Sequence, residues 1–84
     1  MTTTIFYKGK LYNGIFVSNF KGYYDIYIDR QKRLAILINH LSEVKVILKL
    51  ETYQIDELLD DEDDKFLDEL EKLENKFENE MYNE

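Results

Sequence analysis

Apolar and polar positions change their rhythm near the middle of the chain. Up to about residue 50 they alternate with a period near two. "YYDIYID" sets Tyr24, Ile26 and Ile28 on one side and Tyr23, Asp25, Tyr27 and Asp29 on the other. "VKVILKL" places Val44, Val46, Leu48 and Leu50 inward, with Lys45 and Lys49 outward. "TTTIFYKGKLY" and "IFVSNF" are rich in β-branched and aromatic residues, and "LAILIN" is apolar on both sides. Turn signals separate these runs: Asn13-Gly14, Lys21-Gly22 and "RQKR". Gly9 punctuates the first run. The pattern predicts about five short strands in an antiparallel meander, as an open sheet or a small barrel.

Past residue 50 the period becomes helical. Leu59, Phe66, Leu70, Leu73 and Phe77 recur at spacings of seven, four, three and four, a narrow stripe suited to helix packing or to a dimer contact. Neither proline nor glycine follows Gly22. Asp60 or Asp61 suits an N-cap, and a short helical turn around residues 55–59 would precede it. A helix from Asp60 to the end would run about 37 Å at 1.5 Å per residue. It would overhang a six-residue strand of about 20 Å. The fold class expected is α+β in one domain of 84 residues. Residues 1–52 form the sheet part, and residues 53–84 the acidic helical part.

Charge sharpens that division. Residues 1–50 hold eight Lys and Arg against three acids, a net of +5; residues 51–84 hold three lysines against fifteen acids, a net of −12. Such asymmetry points to an interaction function. Without cysteine the chain has neither disulfides nor a thiolate metal site. It lacks an apolar run long enough to span a membrane, and "MTTTIFYKGK" does not read as a signal peptide. A cytoplasmic protein is expected.

Catalytic signals are absent. "DDEDD" at residues 60–64 lacks the alternating ligands and glycine of a calcium loop. His40 has no second His or Cys to share a metal, and Ser18 and Ser42 read as strand or turn residues. No Gly-rich phosphate loop occurs. Neither an enzyme nor a cofactor or metal is expected.

The stretch "DELLDDEDDKFLDELEKLENKFENE" therefore carries the functional reading. In the plainer account it is a solvated helix face, helped by i,i+4 pairs such as Asp61–Lys65 and Asp68–Lys72, with the stripe docked on the second face of "LAILIN". Three lysines do not balance the acid, however. A net of −9 from residue 60 onward would give about one charge per 4 Å along a continuous helix, close to the 3.4 Å per charge along one strand of B-DNA. The acids Asp60, Asp64, Asp68, Glu71 and Glu78 share one helical face away from the stripe.

In its length, cysteine-free composition and this acidic stretch, the chain resembles small viral inhibitors that mimic nucleic acid, of the anti-CRISPR type. The likeness implies a non-enzymatic inhibitor acting in the cytoplasm of a host cell. From the charge pattern itself, the partner expected is a basic nucleic-acid-binding protein, engaged through Asp60, Asp61, Asp63, Asp64, Asp68, Glu71 and Glu78, with no direct contact to nucleic acid. Two other readings stand beside it. One is a homodimeric structural or interaction protein joined through the stripe and "LAILIN". The other is a single-strand binder built on Lys8, Lys10, Lys21, Arg30, Lys32 and Arg33 with Tyr7, Tyr12, Tyr23 and Tyr27, gated by the acidic tail.

Overall fold

Five antiparallel strands and two helices follow one another in a computed structural model that describes residues 2–60 and 64–82. The strands are β1 (Thr2–Tyr7), β2 (Lys10–Phe20), β3 (Tyr24–Asp29), β4 (Leu34–Asn39) and β5 (Val44–Lys49). They pair strictly in chain order, so the sheet is an open meander with β1 and β5 at its edges. The helices are α1 (Thr52–Leu59) and α2 (Phe66–Tyr82). The fold is α+β, as the two periodicities predict.

The first hairpin turns earlier than expected. Lys8 and Gly9 both adopt positive φ, 50° and 78°, and close a two-residue loop between the paired Tyr7 and Lys10. Positive φ at both central positions matches the right-handed strand twist, and glycine takes it without a Cβ penalty. Asn13-Gly14 is therefore no turn. It lies inside β2, which runs unbroken for 11 residues. Gly14 serves close approach instead: a Cβ there would stand 2.7 Å from Ile5 Cδ1 and 3.0 Å from Tyr27 Cβ.

β4 explains the layering, because both its faces are buried. On one face Ala35 and Leu37 join Phe20, Ile26 and Ile28 beneath Ile55, Leu58, Leu70, Leu73 and Phe77 of the helices. On the other, Ile36 and Ile38 pack with Ile5 of β1 and Tyr12 of β2. β1 is three strands away from β4 in the sheet order, so the β1–β2 arm must curl across this second face to reach it.

Two bulges redirect side chains. Val17 is skipped in the pairing of Phe16 with Tyr27 and Ser18 with Ile26. Lys45 is skipped between Val46, opposite Leu37, and Val44, opposite Ile38. The extra residue shifts the two-residue period. Val44 consequently packs on the second face with Ile36, while Val46, Leu48 and Leu50 stay on the helix side.

Asp29 anchors the arm at its root. It is buried, with Oδ2 accepting from the Asn13 amide at 3.1 Å and Oδ1 from the Lys32 amide at 3.0 Å. One carboxylate thus ties β2 to the β3–β4 turn.

The helical half also departs from the pattern. α1 begins at Thr52, where the Glu51 amide donates to Gln54 Oε1 at 2.8 Å. Asp60 is the C-cap of α1 in extended conformation, not the N-cap of a long helix. α2 has 17 residues, about 25 Å, so the 37 Å rod does not form. Leu59 belongs to α1 and Phe66 opens α2, and both pack half-buried against the helix-side core. The whole stripe is spent within one chain.

Gly14→Ala should lower the unfolding free energy by about 1–3 kcal/mol through overpacking beneath the curled arm. Urea titration checks this; an unchanged midpoint would mean that the arm is not seated on Tyr27.

Candidate functional site: the acidic face of the second helix

α2 buries one side and leaves the other to solvent. Leu70, Leu73 and Phe77 point into the core, each worth about 1.5–3 kcal/mol of burial. Asp68 and Glu71 are exposed on the opposite side, and Asp64 is exposed in the turn just ahead of the helix. None of the three takes part in an ion pair among the described residues. Asp68 and Glu71 sit three residues apart on α2, which puts them on one ridge, and Asp64 precedes it in the turn. Asn75 and Glu78 extend the same ridge toward the C-terminus.

The other expected partner-binding residues are placed differently. Glu78 is half-buried and pairs with Lys21 of the β2–β3 turn at 3.0 Å. The hydrogen bond from Lys21 to Glu78 holds the lysine's pKa above its ordinary value, against a smaller opposing effect of burial. Asp60 is exposed but ends α1, so it does not continue the α2 ridge. Asp61 and Asp63 lie outside the described residues.

Other acids of α2 serve the fold. Glu69 is only 7% exposed, near Tyr53 and Glu57 of α1, with Lys72 Nζ 3.7 Å from its carboxylate. Glu74 is half-buried on the flank. Burial, and secondarily the neighbouring Glu71, raise its pKa. α2 itself carries six acids and two lysines. Its net charge of −4 over about 25 Å is one per roughly 6 Å, sparser than a continuous helix from Asp60 would have been.

The basic half is also sorted by the fold. Lys8, Lys10, Arg30, Lys32, Arg33 and Lys49 gather at the end of the sheet that carries the β1–β2 and β3–β4 turns. Arg30 meets Asp56 of α1 at 3.5 Å, with both side chains exposed. Lys32 Nζ donates to the Leu11 carbonyl at 2.6 Å and lies 4.4 Å from the centroid of the Tyr12 ring. Lys21 sits at the opposite end. Of the four tyrosines considered for stacking, Tyr12 is buried, Tyr7 and Tyr27 pack against the second-face core, and Tyr23 is exposed.

Among the described residues no three His, Asp or Glu side chains converge as metal ligands would. His40 is exposed in the β4–β5 turn, where its backbone N–H donates to the Tyr23 carbonyl. Among the described residues no helix is long and apolar enough to cross a membrane. No protein-family model, curated protein or solved structure matches the chain.

Glu74 yields a pH-dependent prediction. A folded pKa above the unfolded value means that the ionised carboxylate costs stability at neutral pH. That cost disappears once the group is protonated in both states, below about its ordinary 4.5. Glu74→Gln should therefore stabilise the protein at pH 7, by less than about 1 kcal/mol because solvent screens this flank. The gain should fade as the pH falls toward 4.5 in thermal melts at several pH values.

Proposed function

We propose that the chain is a non-enzymatic inhibitor that lays the outer ridge of α2 into the basic groove of a nucleic-acid-handling protein. The observation that carries this reading is the division of labour on α2. Its apolar side is consumed by the fold, while Asp64, Asp68 and Glu71 are exposed and form no ion pair among the described residues. Uncompensated like charge on one ridge costs stability. A partner's Lys and Arg side chains would recover that cost on binding.

The ridge is narrower than the acidic tract as a whole. Asp68 and Glu71 form its centre on α2, Asp64 leads into it from the turn, and Asp60 lies beside the break between the helices. Glu78 must exchange Lys21 for a partner cation if it takes part. Rim charges of this kind accelerate encounter and make it salt-sensitive. The resemblance to small acidic viral inhibitors agrees with this mode, and a CRISPR effector is one target whose groove has the required chemistry.

Affinity capture from native host lysate, with and without competing DNA or RNA, tests the proposal. The wild-type chain should retain a nucleic-acid-binding protein at low salt and release it at high salt or to the competitor. The triple variant D64K/D68K/E71K should lose it while keeping its circular dichroism spectrum. Equal capture by the folded triple variant would contradict the reading.

A further inference from the structure

We propose that the free edge of β1 receives an extended cationic segment of another protein as an added strand. Backbone geometry directs this edge outward, whatever the acidic ridge binds. The two-residue turn makes Tyr7–Lys10 a hydrogen-bonded pair. In an antiparallel ladder such pairs alternate, so Ile5–Tyr12 and Thr3–Gly14 are hydrogen-bonded as well. Thr2, Thr4 and Phe6 consequently aim their N–H and C=O groups away from β2. No other described strand pairs with them.

The two sheet edges are treated differently. β5 carries exposed Lys45 and Lys49 and is interrupted by the bulge at Lys45, devices that discourage strand addition. β1, "TTTIFY", has no charge, no proline and no bulge, and its Phe6 is 69% exposed. An edge of this composition is a template for a further strand.

Its surroundings select what kind. Beside β1 lies a groove of about 400 Å³, bounded across from Thr4 and Phe6 by His40 of the β4–β5 turn. Tyr27 and Ile38, both of the second-face core, also line it. One alternating set of side chains on an added strand would meet these apolar groups, and the other set would face solvent. Among the described residues Asp25 is the one acidic side chain lining the groove. It accepts a hydrogen bond from Asn19 and forms no ion pair among the described residues. Neither Lys nor Arg is among the described residues lining the groove, so this carboxylate favours a strand bearing Lys or Arg. A second copy fits less well: its β1 comes already paired to β2, two strands wide, against the wall formed by the β4–β5 turn, and that uncharged strand brings no cation to Asp25.

The test uses two pools of synthetic octapeptides alternating Val, Ile or Thr with either Lys/Arg or Asp/Glu, followed by fluorescence anisotropy. The D64K/D68K/E71K background removes adsorption to the helix ridge, so failure here and failure of the proposed function are separable. The cationic pool should bind in that background and slow amide exchange at Thr2, Thr4 and Phe6. Thr4→Pro deletes an outward N–H, which an edge strand tolerates, and should weaken binding by about tenfold or more; Thr4→Val should not. Equal binding of the acidic pool, or no added protection at these amides, would overturn the proposal. So would a dimer that Thr4→Pro dissolves, since the occupant would then be a second copy. Should Thr4→Pro fail to fold, the protection pattern decides alone.

Discussion

Burial of β4 on both faces governs this molecule. "LAILIN" offers a continuous apolar run, and a chain this short has few ways to cover it twice. The helix pair covers Ala35 and Leu37, and the curled β1–β2 arm covers Ile36 and Ile38. Each cover makes its own demands. The arm needs Gly14, where Ile5 and Tyr27 leave no room for a Cβ, and it needs the Asp29 carboxylate to fasten Asn13 at its root. The helices need a break between Leu59 and Phe66, so that two short rods cross the sheet where one long rod would overhang it.

The same constraint separates the surfaces. Since the apolar stripe is used inward, the outward side of α2 is left to polar residues, and there Asp68 and Glu71 stand without an ion pair among the described residues. Two of the ion pairs among the described residues, Lys21–Glu78 and Arg30–Asp56, are surface links of the kind worth about 0–1 kcal/mol, so they do not set the fold. The arm's curl also brings the β1 edge to face the β4–β5 turn across a groove and leaves it unpaired. Acidic ridge and free edge are thus two by-products of covering one strand.

Much of this is legible in the sequence. Alternation in "YYDIYID" places Ile26 and Ile28 against the helices and Tyr27 on the opposite face, as the structure does. The stripe Leu70, Leu73 and Phe77 is helical in spacing and buried in fact. What local pattern misses depends on partners distant in the chain. Asn13-Gly14 has the composition of a hairpin turn, yet its glycine answers to Tyr27 across the sheet. Val44 keeps the alternation of its strand, yet a bulge at Lys45 sends it to the other face. Asp60 has the chemistry of an N-cap, yet α1 starts earlier and consumes the residues before it. Asp29 looks like an outward polar residue, and only the turn folding back to it shows why it is buried. For the acidic ridge, the residue types are legible but the division is not. Which acids are bound by the fold, as Glu69 and Glu78 are, depends on tertiary neighbours.

The most direct test of this account is native-state amide hydrogen exchange of the β4 strand, read together with sedimentation at micromolar concentration. If both faces of β4 are covered within one chain, the protein should sediment as a 10.2 kDa monomer with residues 35–38 among the slowest-exchanging amides. A dimer whose dissociation on dilution releases fast exchange at those residues would contradict it.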